Sequence, residues 1–270
     1  MATLRAVLAE AIAAMARNGY TSEAQVEAWA QKINRAAGDE LPGDKEIDEE
    51  TEAALRAVFE RMIRRGGLIR RVPGVSTYDI GMIEPKFRAE LDRRIRASAD
   101  LIKLRKKETV AQTLARFRGW ATSVPPGGSG GVDRLAARAQ IAKPTAQYKF
   151  ERRRVAIDQG HKLSANVAAI AALQSGAIAA IWHSHWRQPG YQYRREHKAL
   201  DEKLFLIRGN WAQEKGWVKP AGHGYTDEIE APAEKPYCSC YYQYINNPLD
   251  LPRDMLTAKG REALGLKEAA

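Results

Sequence analysis

Cysteine is nearly absent from this chain: Cys238 and Cys240 are the only two in 270 residues. With one residue between them a mutual disulfide would be strained, so free thiols or metal ligands are expected. Long apolar runs are also missing, and none approaches the roughly 18 residues that a membrane-spanning helix needs. The opening MATLRAVLAEAIAAMARNGY carries Glu10 inside its apolar stretch, which suits a signal peptide poorly, so synthesis in the cytoplasm is expected. There is no Walker or dinucleotide-type glycine loop, no G-x-S-x-G elbow and no HExxH helix; Gly127 to Gly131 has no lysine-serine ending and follows no strand. Nucleotide hydrolysis is therefore not expected, and there is neither an internal repeat nor a low-complexity tract beyond one Pro/Gly stretch.

What is present is an ordinary folding composition, 44% apolar and 28% charged, in a chain long enough for two units. Forty-three Lys and Arg against 33 Asp and Glu leave a net charge of +10, which favours polyanionic partners. The first 120 residues read as helix. Leu4, Val7, Leu8, Ile12 and Met15 recur at helical spacing up to Gly19; Val26, Trp29 and Ile33 follow a cap at Thr21 or Ser22. After an acidic loop, Leu55, Val58, Phe59, Met62 and Ile63 form a third stripe that Gly66-Gly67 ends, and residues 69–83 read as a hairpin or loop. Pro85 suits the first turn of a further helix carrying Phe87, Leu91, Ile95 and Ile102. The opposite side of that helix holds the densest positive stretch of the chain. Arg88, Arg93, Arg94, Arg96, Lys103, Arg105, Lys106 and Lys107 are candidate phosphate contacts there, against the alternative of a solvated face tempered by Glu90, Asp92 and Asp100.

TSVPPGGSGG, from Thr122 to Gly131, breaks helical periodicity and marks the expected domain boundary. Beyond it, two or three helices are expected up to about Gly176, followed by three short strands within AIAAIWHSHW, LFLIRG and YCSCYYQYI. The fold class is thus α+β and predominantly helical: a helical N-terminal region followed by a smaller α+β domain with a short sheet. The expected limits are 1–120 for a basic helical domain, 121–131 for a linker, 132–250 for the α+β domain and 251–270 for a C-terminal helix, capped by Thr257, and a fraying tail.

Histidine clusters near the strands. On a strand His183 and His185 share a face, as do Cys238 and Cys240 on a neighbour, so a four-ligand zinc site is conceivable, though neither pair has the two-to-four-residue spacing usual in zinc sites. His183, His185 and His197 with Asp201 and Glu202 would suit a metal-dependent nuclease cleaving phosphodiesters, but no known signature orders them. A cysteine nucleophile would need a histidine such as His197 or His223. The second half is rich in Trp and Tyr, suited to a packed sheet or to an interface.

The order of four segments, ERRRVAIDQGHKL, IAAIWHSHW, RREHKALDEKLFLIRG and KPYCSCYYQYI, resembles the head-morphogenesis domain of phage Mu protein F-like minor head proteins. The likeness covers about residues 135 to 246. Trp182, then Arg194, His197, Leu200 and Asp201 of an R-x-x-H-x-x-L-D-G-like stretch, then Cys238 and Cys240 of a closing C-x-C tract, hold the matching positions. Glu202 stands where the family usually has glycine, and Ser239 where arginine is common. The resemblance implies a non-enzymatic virion protein, present in few copies in the capsid interior or at the portal vertex and in host cytoplasm during assembly. It would act in head assembly or DNA ejection. Its implied partners are the portal protein, major capsid or scaffold proteins, and double-stranded DNA without sequence preference; no cofactor and no metal are implied. Arg194, His197 and Asp201 would form a buried polar network fixing the sheet to its helix, with His197 as donor and Asp201 as acceptor. Alternatively they are separate exposed neighbours on one helix.

Overall fold

The computed structural model describes residues 2–220 and 224–266, the Thr77 side chain excepted. Helix α1 (Leu4–Asn18) starts where the Thr3 hydroxyl accepts from the Ala6 N–H and stops at Gly19, whose φ of 70° only glycine adopts freely. Helix α2 (Glu23–Glu40) starts on Ser22, which accepts from the Gln25 N–H. Leu8, Ile12 and Met15 of α1 and Val26, Ala30 and Ile33 of α2 pack with Phe117, Ala121 and Ile141 in one core.

Helix α3 (Asp44–Arg64) begins inside the stretch that reads as an acidic loop. Asp44 and Glu46 lie in its first turn, where carboxylates meet the positive end of the helix dipole. The hairpin expected over 69–83 is replaced by the short helix α4 (Gly67–Arg71) and the start of α5 (Thr77–Ser123). A reciprocal cap opens α5: the Ser76 hydroxyl accepts from the Asp79 N–H, and the Asp79 carboxylate accepts from the Ser76 N–H. Pro85 therefore lies inside the helix and not at its start. Burial of Ile80, Ile83, Phe87 and Leu91 along one face offsets the hydrogen bond that proline removes, a penalty of about 3 kcal/mol. Likewise α6 (Arg134–Gln174) is one helix, running past Pro144, where two or three were expected.

The three expected strands form. They are β1 (Ala179–His183), β2 (Leu204–Leu206) and β3 (Tyr241–Ile245), antiparallel in the order β2-β1-β3. Ala180 pairs with Phe205 and Tyr244, and Trp182 with Tyr242. Alternation along these strands supplies two cores: Ala180, Trp182, Phe205, Tyr242 and Tyr244 pack on Leu163, Val167, Ala168 and Ala171 of α6, while Ala179, Leu204, Leu206 and Ile245 pack on Val218, Leu251 and Met255. Both faces being covered accounts for the unbroken apolar run AIAAI. Short helices α7 (Arg195–Ala199), α8 (Trp211–Glu214) and α9 (Ala258–Ala263) complete the chain, and Thr257 caps α9 by accepting from the Gly260 N–H.

Residue contacts divide the chain into two compact units, Met1–Thr51 with Arg96–Val155 and Glu52–Ile95 with Ala156–Ala270. Helices α3, α5 and α6 thus lend residues to both. The loop 124–133 lies inside the first unit, so it is no boundary between units. It caps the end of α1: the Gly127 N–H donates to the Asn18 carbonyl at 3.2 Å and the Ser129 N–H to the Ala16 carbonyl at 2.9 Å. At Gly128, with φ of 84°, a Cβ would stand 2.4 Å from the Ala16 carbonyl oxygen. The glycines serve this close approach and not a flexible tether.

Candidate functional site

In the second unit, β1, α7 and the segment leading into β3 bring a histidine and both cysteines together. His197 sits on α7, with Trp182 of β1 edge-on to its ring at a centroid distance of 5.4 Å. A turn at Tyr237, with φ of 63°, delivers Cys238 and Cys240 ahead of β3. The His197 Nδ1 lies 3.5 Å from Cys238 Sγ and 3.6 Å from Cys240 Sγ, and the three donor atoms all fall within 4.8 Å of one another. All three side chains are buried, at 3%, 1% and 3% exposure. On the other side of the ring, Nε2 is 3.3 Å from Glu230 Oε2, and the Lys235 ammonium holds the same oxygen at 2.7 Å. A carboxylate only accepts, so this contact puts the ring proton on Nε2 and aims the Nδ1 lone pair at the sulfurs. Burial raises the Glu230 pKa, but hydrogen bonds from Lys235 and His197 outweigh it and the net shift is downward. A hydrogen bond between the two sulfurs lowers the Cys238 pKa and raises that of Cys240, which burial raises further.

The other matched positions surround this cluster without joining it. Arg194 donates to the Pro236 carbonyl at 2.8 Å, anchoring the segment that carries the cysteines. Asp201 accepts from the Ser184 N–H and the Trp186 indole, each at 2.7 Å. The expected single network of Arg194, His197 and Asp201 is therefore corrected: His197 bonds Glu230 and the cysteines, Arg194 and Asp201 bond elsewhere, and α7 ends before residue 201. Nor are the three exposed neighbours on one helix, because His197 is buried. At Glu202, φ is 64°, the left-handed conformation that favours glycine, and its N–H donates to the Trp182 carbonyl at 2.8 Å.

The conceived zinc quartet does not assemble. His183 Nε2 bonds Gln243 and its ring stacks on Tyr241; His185 packs against Tyr191 and Tyr241, and burial lowers its pKa. Among the described residues, the one His/Cys/Asp/Glu group with metal-ligand proximity is His197, Cys238 and Cys240. The nuclease set of His183, His185, His197, Asp201 and Glu202 is thereby not brought together, and His223 lies outside the described residues. Glu230 and Lys235 carried no sequence signal, since nothing in TDEIEAPAEK sets one carboxylate apart from the others.

Most of the candidate phosphate contacts on α5 are engaged within the protein. Arg88 pairs with Glu84, Arg93 and Arg94 with Glu90, Lys103 with Asp48, Arg105 with Glu108 and Glu151, and Lys106 with Asp44. Arg96 and Lys107 are exposed and have no carboxylate partner within ion-pair distance among the described residues. A second basic surface carries no sequence motif. In the second unit a cavity of about 780 Å³ is lined by Arg61, Arg70, Arg71, His161 and His185, with Cys240 also in its wall and no carboxylate. Arg71 lies over the Tyr241 ring, and burial lowers its pKa. Arg61 and Arg71 are far apart in sequence from His161 and His185, and no motif ties them.

No family model, curated protein or solved structure matches the chain.

Proposed function

We propose that this chain is a minor head protein of a tailed bacteriophage, of the Mu protein F-like kind, which docks at the portal vertex and touches packaged DNA without reading its sequence. The observation that carries this reading is the convergence of the family-pattern positions. Trp182, His197, Cys238 and Cys240 meet in one buried cluster, Arg194 ties down the backbone beside it, and Asp201 and Glu202 shape the turn after α7. Positions that are weak as separate motifs acquire one common job, holding α7 and the approach to β3 against the sheet. Glu202 supports the reading further, because the backbone there takes the form that the family's glycine would favour.

Contact with DNA falls to exposed or cavity-lining basic groups without an ion-pair carboxylate, among them Arg96 and Lys107 on α5 and Arg61, Arg70 and Arg71 at the cavity. Such contacts are electrostatic and salt-dependent. No described helix is long and apolar enough to cross a membrane. The test is co-expression with the portal protein of the same phage, followed by size-exclusion chromatography. Co-elution in a defined complex is the expected result. A chain that never associates with portal, and instead cleaves DNA in the presence of a divalent ion, would favour the nuclease in its place.

A further inference from the structure

We propose that His197, Cys238 and Cys240 form a zinc site, with His197 Nδ1 and the two cysteine sulfurs as its protein ligands. Zinc bonds of about 2.05 Å to nitrogen and 2.3 Å to sulfur, set at the tetrahedral angle, place nitrogen and sulfur about 3.55 Å apart. The two N–S separations are 3.5 and 3.6 Å, both edges of that tetrahedron, and all three donor atoms lie within 4.8 Å of one another. The ring is also oriented as a ligand. Its Nε2–H is committed to Glu230, itself held by Lys235, in the carboxylate–histidine arrangement that fixes a metal-binding imidazole.

Charge and burial agree with the same ion. Binding displaces one proton from each thiol, and two thiolates with a neutral imidazole balance Zn²⁺, so the buried site carries no net charge. Two thiolates and an imidazole are donors that suit zinc better than magnesium or calcium. Cys240 stands in the wall of the cavity, so an ion and a fourth ligand would reach the cluster from that side. An ion there would join α7 to the segment before β3, two pieces of chain that otherwise meet through Glu230, Arg194 and packing. The inference does not rest on the minor-head reading, since it concerns only what the cluster binds.

The test uses the full chain. Purified without chelator, it should retain roughly one zinc per chain through gel filtration, as mass spectrometry of the metal would count. Apoprotein loaded with Co²⁺ should show thiolate charge-transfer bands and the strong visible bands of tetrahedral cobalt. Zinc at a hundredfold excess over its Kd should raise the unfolding midpoint of the apoprotein by roughly 5 °C or more. Glu230→Gln, which leaves all three ligands in place, should weaken zinc binding roughly 10–100-fold. Cys240→Ser should abolish the cobalt spectrum; if that variant does not fold, the spectrum of the unmodified protein still decides. No retained zinc, together with a cobalt spectrum lacking thiolate bands, would overturn the proposal, and zinc affinity unchanged in Glu230→Gln would overturn the role given to Glu230.

Discussion

Replacing Glu202 with glycine should leave the protein more stable than replacing it with alanine, by about 0.5–1 kcal/mol. The backbone at residue 202 has φ of 64°. An L-residue held there costs about 1–2 kcal/mol, whereas glycine adopts the conformation freely. Against this, glycine loosens the unfolded chain, at about 0.4–1 kcal/mol. Both variants delete the same surface pair, in which the Arg187 guanidinium sits 3.4 Å from Glu202 with both side chains 66% exposed, so that loss cancels in the comparison. Both keep the N–H bond to the Trp182 carbonyl. Thermal unfolding followed by tryptophan fluorescence should place the glycine variant about 1–4 °C above the alanine variant. Equal midpoints, or alanine the higher, would refute the claim that the turn after α7 holds residue 202 in a strained left-handed form.

Three further predictions follow from the packing and charge of each unit. Gly128→Ala should destabilise the first unit by about 2–4 kcal/mol in urea unfolding, because the new Cβ meets the Ala16 carbonyl at 2.4 Å in a left-handed backbone; a change under about 0.5 kcal/mol would mean that the loop does not cap α1. Glu90 is buried, which raises its pKa, but hydrogen bonds from Asn166, Arg93 and Arg94 outweigh this and hold it below its ordinary 4.5. Its ionised form therefore stabilises the fold fully above that ordinary value, and the contribution fades as pH falls through the lower folded-state value. The stability gap between the unmodified protein and Glu90→Gln, measured by urea unfolding, should accordingly shrink on acidification. A gap independent of pH would contradict the assignment. In the account of DNA contact, joint replacement of Arg96 and Lys107 by alanine should reduce the salt slope of DNA binding by about 2, whereas Arg88→Ala, already paired with Glu84, should change it little; equal effects in a filter-binding titration would count against it.

Fold class was legible because alternation and helical periodicity are local. Ser22, Gly19 and Thr257 mark helix ends by their own chemistry, and the strands around Trp182, Phe205 and Tyr242 show the period of a sheet. Division into units was not legible, because proline and glycine have two readings. Pro85 suits a helix start but lies inside α5, and Gly127 and Gly128 suit a linker but close against α1. At the site, the sequence singles out both cysteines and His197, but face-sharing on strands joins the cysteines to His183 and His185 as zinc ligands. Those two are close to each other in sequence, and on and after β1 they are spent on Gln243, Tyr241 and Tyr191. The meeting of α7 with the turn at Tyr237 depends on tertiary packing, and no spacing rule encodes it. The basic stripe on α5 was legible as charge, but carboxylates distant in sequence, Asp44, Asp48 and Glu151, neutralise much of it.

The central claim, that this is a minor head protein, is tested most directly by the composition of the particle. Under this account the gene belongs to a tailed phage, whose virions would be purified through a density gradient and their proteins quantified by mass spectrometry against the portal protein. The account predicts this chain in every preparation, at a low and constant ratio to portal, and its loss from particles when the C-x-C tract is replaced by serines. Its absence from purified virions and from procapsids alike would contradict the account.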